Sequence, residues 1–151
     1  MIQDLDALPR PARHLVEMKR YRGGPQHAKK HPSTTMMCSR GCPFSCTFCD
    51  AIAIWTRRYR LRSPEDVVAE IRELHDAYGI RDVSFWDDLW GVNHKWSLRF
   101  CELLKKENLD ISWSCECRVD TVKPDVLKVW ADAGCWCIFY GLESMDEEIL
   151  A

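Results

Sequence analysis

The sequence predicts an α/β protein built on a parallel β-sheet. Three observations support this class: short β-prone runs, amphipathic segments of helical length between them, and polar clusters where the β-prone runs end. Strands that alternate with helices form βα units, whose strands pair in parallel. Because the loops at the carboxyl ends of parallel strands hold the ligand sites of such folds, the polar clusters predict one functional rim.

The first half of the chain contains a linker, a strand and a helix. Prolines and glycines interrupt residues 1–33, which predicts a linker or hinge before a core over residues 34–151. The first strand is predicted over 34–38 and leads into a cysteine-rich loop. Ser63 is placed to cap the helix that follows, and Gly79 is placed to end it.

The second half repeats the pattern. A strand over 80–86 leads to a helix capped by Asn93, and a strand over 111–117 leads to a helix that opens at Pro124. A fourth strand is predicted over 135–142. Four strands separated by helices therefore define a parallel sheet of βα units.

A capping-box pattern closes the chain. Ser144 is followed three residues later by Glu147, which predicts a helix that starts at Ser144. The chain stops at Ala151, and its last predicted strand would leave a sheet edge unprotected. We therefore expect the sequence to be a piece of a longer protein.

Composition excludes several classes of protein. The 151 residues are 46% hydrophobic and 29% charged, and a net charge of -2 gives no general drive toward nucleic acid or anionic membrane. No apolar run approaches the roughly 20 residues that span a bilayer, and the N-terminus lacks the features of a secretory signal. Nine cysteines without such a signal predict the cytoplasm, where clustered thiols serve metal sites more often than disulfides.

Cys42, Cys46 and Cys49 have the spacing C-x3-C-x2-C in the run SRGCPFSCTFCD. Three thiolates this close cannot all point into one apolar core, whereas they can hold three corners of an iron–sulfur cube. Spacing alone leaves alternatives, because zinc sites generally take four ligands and low-potential ferredoxins use four thiolates per cluster. The nearest fourth thiol, Cys38, lies on the strand side of the loop, where we expect a buried small residue.

With Phe48 before the third cysteine, the motif closely resembles the signature of the radical SAM superfamily. The runs WTRRYRLRSPEDVVAEI, VSFWDD, ISWSCECRVD and AGCWCIFYGLES are similar to the first four βα units of its cobalamin-associated branch. The run DLDALPRPARHL resembles the hinge after the cobalamin-binding domain of that branch. The resemblance covers about residues 5–151 and implies a partial (βα)6 TIM-like barrel, of which about the first four units are present.

The resemblance implies two cofactors at this chain and a third outside it. Cys42, Cys46 and Cys49 would bind three irons of a 4Fe–4S cluster, and S-adenosylmethionine would chelate the fourth. Reductive cleavage of S-adenosylmethionine would give methionine and a 5′-deoxyadenosyl radical, so that the cofactor supplies the chemistry. Cobalamin would be bound by a domain outside this chain.

The resemblance also implies contacts to S-adenosylmethionine. Phe48 matches the hydrophobic residue beside the adenine. Asp87 and Asp88 match an acidic pair near the methionine ammonium, where a cation needs acceptors, although an Asp can also simply terminate a strand. Glu143 and Ser144 match acceptors that meet the ribose hydroxyls.

Two further residues belong to the expected rim. Glu116 and Arg118 would contribute to the S-adenosylmethionine site, or they would pair with each other as i,i+2 neighbours on one face of a strand. Leu89 and Trp90 stand where the family often has a polar residue, and Trp90 is a candidate for the rim.

Two C-x-C pairs remain, Cys115 with Cys117 and Cys135 with Cys137. If Glu116 and Glu143 both point inward, alternation places Cys115 and Cys117 on the outer face. It places Cys135 and Cys137 on the inner face. Opposite faces cannot build one site, so both pairs are expected to be buried small residues.

The resemblance implies a small-molecule substrate, for example a tetrapyrrole or a lipid, and an electron donor such as flavodoxin or ferredoxin. The reaction would be a methylation or a cyclisation, with no nucleic-acid partner. Two alternatives stay open. A non-catalytic iron–sulfur or zinc module would need a fourth ligand such as Cys38, and an RNA methylthiotransferase would be expected to carry a basic nucleic-acid module.

Overall fold

A computed structural model describes residues 2–21, 24 and 27–150 of the chain. Its body is a four-stranded parallel sheet in the order β1-β4-β5-β6, beside a small antiparallel pair, β2-β3. In chain order the elements are β1 (Ser33–Met36), β2 (Ser39–Arg40), α1 (Ala51–Trp55), β3 (Arg60–Leu61), α2 (Pro64–Tyr78), β4 (Asp82–Phe85), α3 (His94–Glu107), β5 (Ser112–Cys117), α4 (Pro124–Asp132), β6 (Cys135–Tyr140) and α5 (Glu147–Leu150).

The predicted parallel sheet and the predicted caps of α2 and α3 are confirmed. The Ser63 side chain accepts a hydrogen bond from the Asp66 amide at 3.1 Å and so caps α2. The Asn93 side chain accepts from the Trp96 amide at 3.1 Å and caps α3. Gly79 ends α2 in the left-handed conformation, with φ of 65°.

Sequence reasoning missed the short elements on either side of the cysteine loop. The strands β2 and β3 have two residues each, too few to show a period of two. The helix α1 has five residues, and periodicity cannot separate so short an apolar run from a strand.

Ion pairs attach the N-terminal segment to α2. Arg10 pairs with Asp66 at 2.9 Å, and Arg13 pairs with Glu70 at 2.6 Å. Glu70 is almost fully buried, and a buried carboxylate needs such partners. The predicted division between linker and core after residue 33 stays a prediction.

Trp90 lies at the centre of the helix-covered outer face of the sheet. It is fully buried, so its expected place at the rim is wrong. The turn after β4 folds back under the helices, where Gly91 has φ of 79° and a Cβ would lie 2.4 Å from the Trp130 ring. Aromatic rings surround that of Trp90 at centroid distances of 4.8–5.9 Å: Phe85, Trp96, Phe100, Trp113 and Trp130.

A bulge in β6 changes the expected placement of one cysteine. The register with β5 shifts around Trp136, so that Cys135 pairs with Trp113 on the outer face and Cys137 falls on the opposite face. Simple alternation placed both cysteines on the inner face, which is wrong for Cys135. Burial raises the pKa of the Cys115 thiol, and the nearby Cys135 thiol contributes to the shift.

The helices of the described part of the chain are too short or too polar to cross a lipid bilayer.

Candidate functional site

The three motif cysteines lie in the loop between β2 and α1. Cys42 and Cys46 are half-buried, and Cys49 is exposed. The Cys49 amide donates to the Cys46 carbonyl at 3.2 Å, which closes a tight turn. Gly41 has φ of 87°, and a Cβ there would lie 2.4 Å from the Arg58 carbonyl oxygen. Glycine is therefore required at the start of the loop.

The three thiols are close enough to influence one another. Burial raises the pKa of the Cys42 thiol, and the charges of Cys46, Cys49 and Asp88 raise it further. Across residues 2–21, 24 and 27–150, no three His, Cys, Asp or Glu side chains are placed as ligands of a single metal ion. A 4Fe–4S cluster does not need three ligands around a single ion, because each thiolate binds a separate iron. Three thiols in one loop fit three corners of such a cluster.

The adjacent residues Asp87 and Asp88 have different environments. Asp87 is 1% exposed, and its Oδ1 accepts from the amides of Cys38 at 3.0 Å and Ser39 at 2.5 Å. Burial raises the pKa of Asp87 to about 6, although these hydrogen bonds lower it in part. Asp88 is exposed, and its Oδ2 accepts from the Gly41 amide at 3.1 Å. Asp87 therefore supports the backbone before the loop, while Asp88 reaches the loop itself.

Arg118 follows β5 and contacts the cysteine loop twice. Its Nη1 donates to the Cys46 Sγ at 3.1 Å, and its guanidinium carbon lies 4.1 Å from the centre of the Phe44 ring. Its Nε and Nη2 donate to the Asp120 carboxylate at 2.9 and 2.7 Å. Arg118 therefore joins the carboxyl end of β5 to the loop.

Glu116 faces the same region from β5. Partial burial raises the pKa of its carboxyl; His27 lowers this pKa, and Asp88 raises it. The pairing of Glu116 with Arg118, which strand spacing allowed, is replaced by the ion pair of Arg118 with Asp120. The structure therefore brings Asp88 and Arg118 to the cysteine loop, and Glu116 lies close enough to Asp88 for their charges to interact.

Phe48 and Glu143 lie at the edges of this region. Phe48 is 66% exposed. Glu143 is exposed and has a left-handed backbone with φ of 59°, and its side chain folds over Gly141. Their predicted contacts to S-adenosylmethionine stay predictions.

Ser144 does not cap the last helix. Its Oγ accepts from the Asp146 amide at 3.0 Å, and α5 begins at Glu147. The Asp146 Oδ1 accepts from the Glu148 amide at 2.8 Å. The prediction of a helix from Ser144 is wrong because Asp146, which directly precedes the helix, provides the cap.

Sequence motifs gave no indication that His27 lies near the candidate site. In the structure it lies against the inner face of the sheet. Its ring is 6.5 Å from that of Trp86 and 5.4 Å from that of Phe139, and its carbonyl accepts from the Ser84 hydroxyl at 3.2 Å. His27 also lines a cavity of about 550 Å³, together with Arg13 and other residues of the N-terminal segment and the inner face. Local sequence holds no signal for these contacts, since the partners are distant in the chain.

The chain belongs to the Radical SAM superfamily, whose family model matches residues 36–151. An uncharacterized methyltransferase of Pyrococcus horikoshii is 37% identical over 150 residues, which are 99% of this chain and 32% of that protein. The anaerobic magnesium-protoporphyrin IX monomethyl ester cyclase of Synechocystis sp. is 32% identical over 154 residues, which are 99% of this chain and 29% of that protein. The chain spans about a third of the length of these relatives.

Solved structures confirm the predicted fold class of a partial TIM-like barrel. The radical S-adenosylmethionine methyltransferase TsrM from Kitasatospora setae, solved with tryptophan substrate and a SAM analog, has a TM-score of 0.70 at 19% identity, over 78% of this chain and 23% of TsrM. The cobalamin-dependent S-adenosylmethionine radical enzyme OxsB, solved with aqua-cobalamin and S-adenosylmethionine, has a TM-score of 0.65 at 27% identity, over 77% of this chain and 19% of OxsB.

Proposed function

We propose that this chain is the part of a radical SAM enzyme that holds a 4Fe–4S cluster and S-adenosylmethionine. The observation that carries the proposal is the convergence of Asp88 and Arg118, from two strand ends, on the loop that contains Cys42, Cys46 and Cys49. When bound, the cluster supplies the electron that divides S-adenosylmethionine into methionine and a 5′-deoxyadenosyl radical.

The residues of the rim would have separate tasks. The three thiols would hold three irons and leave one iron for the amino and carboxylate groups of S-adenosylmethionine. Asp88 is the carboxylate that we assign to the methionine ammonium, because it is exposed at the loop whereas Asp87 is bonded to the backbone before it. Glu116 would add a second carboxylate at the rim, and the exposed ring of Phe48 would offer a surface to the adenine.

Glu143 and Ser144 would supply acceptors for the ribose hydroxyls. Both follow β6, and the carboxyl ends of parallel strands share one edge of a sheet. The left-handed backbone of Glu143 supports this role, because non-glycine residues in that conformation are enriched at functional sites.

We infer that the whole protein is a cobalamin-associated methyltransferase or cyclase of the cytoplasm. Its relatives support this class: besides the methyltransferase and the cyclase above, the hopanoid C-2 methylase of Rhodopseudomonas palustris is 30% identical over 153 residues. The substrate would be a small molecule of the tetrapyrrole or lipid class. Cobalamin would bind to a domain outside this chain, and a flavodoxin or ferredoxin would supply electrons.

Anaerobic reconstitution of the full-length protein with iron and sulfide tests the proposal. We expect about four irons per chain, a change in the spectrum of the reduced cluster when S-adenosylmethionine is added, and formation of 5′-deoxyadenosine. Cys46→Ala should abolish all three. The matched control is Cys38→Ala, which removes a thiol that is 1% exposed and outside the motif, and which should keep the cluster.

The same experiment separates the alternatives. A metal-binding module with four protein ligands would lose its metal in Cys38→Ala. Stoichiometric zinc without a response to S-adenosylmethionine would contradict the enzyme proposal.

A further inference from the structure

Arg118 donates a hydrogen bond to the sulfur of one motif cysteine, with 3.1 Å between its Nη1 and the Cys46 Sγ. We propose that Arg118 is a positioning residue that acts through this thiolate and raises the reduction potential of the bound 4Fe–4S cluster. This inference rests on the proposed function, because it requires that Cys46 binds iron.

The backbone at Arg118 is fixed locally. Arg118 directly follows β5, and the Thr121 amide and hydroxyl both donate to the Arg118 carbonyl, at 3.1 and 2.8 Å. This short turn, Val119–Thr121, determines where the long side chain of Arg118 starts. The arginine therefore approaches the loop from a defined strand end.

The guanidinium is fixed as well. Asp120 accepts from its Nε and Nη2 in a bidentate ion pair, and the Phe44 ring lies 4.1 Å from its central carbon. Bidentate pairing and ring contact restrict a planar guanidinium in orientation as well as in position. The one remaining nitrogen, Nη1, is left to point at the Cys46 sulfur.

The expected direction of the effect follows from charge. One-electron reduction adds negative charge to a cluster, and hydrogen bonds to its sulfurs stabilise that charge and raise the potential. An arginine side chain keeps its proton at all relevant pH values, so the donor is permanent. Asp120 offsets part of the positive charge, but it binds the two nitrogens other than Nη1.

The full-length protein, reconstituted as above, provides the test. Wild type and Arg118→Gln are compared by iron content and by redox titration followed by electron paramagnetic resonance, in the absence of S-adenosylmethionine. We expect Arg118→Gln to bind the same iron and to show an equilibrium constant for reduction about tenfold lower, which is a potential about 59 mV more negative for one electron. Arg118→Lys should fall between the two, because lysine keeps the charge without the planar fork.

Arg99→Gln is the matched control. Arg99 is also a partly exposed arginine with two ion pairs, to Glu65 at 3.0 Å and Glu102 at 2.9 Å, but it lies on α3. Its substitution should leave the potential unchanged. A lower potential in Arg118→Gln with an unchanged control supports the proposal, and a wild-type potential in Arg118→Gln with full iron content overturns it.

Three further outcomes are informative, and the last two separate the inference from the proposed function on which it rests. If Arg118→Gln loses iron, Arg118→Lys decides: a potential below wild type supports the tuning role, and an equal potential overturns it. If the wild-type protein itself holds no cluster, the proposed function has failed. A wild type that cleaves S-adenosylmethionine while Arg118→Gln keeps its potential refutes the inference alone.

Discussion

The outer and inner faces of the sheet are built from alternate residues of the same strands, yet they differ in chemistry. The outer face buries Phe85 and Trp113 beneath helices. The inner face carries hydroxyls such as those of Ser84 and Ser114, 2.8 Å apart, and leads to Glu116 at the rim. Because side chains alternate along a strand, aromatic rings can be packed on one face while the other face carries polar groups.

The same division separates two adjacent carboxylates. Asp87 is buried and bonded to the backbone, and Asp88 is exposed at the cysteine loop. Sequence position therefore does not determine which of two neighbours supports the fold and which faces the site. Four predictions test this contrast.

The largest expected effect is on the outer face. Trp90→Ala should lower the free energy of unfolding by about 3–5 kcal/mol, because it removes the ring at the centre of the aromatic cluster. Trp86→Ala is the control, since Trp86 is 56% exposed on the inner face, and it should cost less than about 1 kcal/mol. Urea denaturation measures both, and similar losses in the two variants would remove the contrast between the faces.

Gly91→Ala should lower the free energy of unfolding by about 2–3 kcal/mol. The new Cβ would meet the Trp130 ring at 2.4 Å, and φ of 79° is unfavourable for alanine. Gly79 has φ of 65°, and a Cβ there would meet no heavy atom within 4 Å, so Gly79→Ala should show only the backbone cost, about 1–2 kcal/mol. Thermal or urea unfolding of the two variants measures the part of the loss that comes from the contact with Trp130. Equal losses of stability in both variants would mean that the aromatic cluster can accommodate a methyl group at Gly91.

Asp87→Asn should flatten the pH dependence of stability. The pKa of Asp87 is about 6 in the folded protein, above the value of about 3.9 for an unfolded chain. The folded state therefore binds the proton on Asp87 more tightly than the unfolded state does. This proton contributes fully to stability below about pH 4, and the contribution is lost as the pH rises through 6. The gap between the folded and unfolded pKa values corresponds to about 3 kcal/mol of stability. Urea midpoints at pH 4 and pH 7 measure it, and a slope in Asp87→Asn as steep as in wild type contradicts the assignment.

The smallest expected effect concerns Asp88. Asp88→Asn should weaken binding of S-adenosylmethionine about tenfold, about 1.4 kcal/mol, while iron content stays unchanged. Loss of one charge-assisted contact to the ammonium is the reason. Equilibrium binding to the reconstituted protein measures it, with the exposed Glu65→Gln on α2 as the control. Wild-type affinity in Asp88→Asn would assign the ammonium to another group.

Local signals made the strands and the first two helix caps predictable. Ser63 and Asn93 each cap within three residues, and the cysteine spacing lies within one loop. Ser144 was misjudged although its competitor as the cap, Asp146, is only two residues away. Two other features depend on geometry that no short window contains. The bulge at Trp136 moved Cys135 to the outer face, and the pairing of Arg118 with Cys46 joins residues 72 apart in the chain.

The close packing of indoles in the outer layer has an optical consequence. The Trp90 ring centre lies 4.8 Å from those of Trp113 and Trp130, and electronic transitions couple strongly at such separations. The assembled cluster should therefore give an exciton signal in circular dichroism that disappears when its rings separate. The fluorescence that is lost in Trp86→Ala should report the other face, where Trp86 is 56% exposed. One chain thus carries spectroscopic labels for both of its faces.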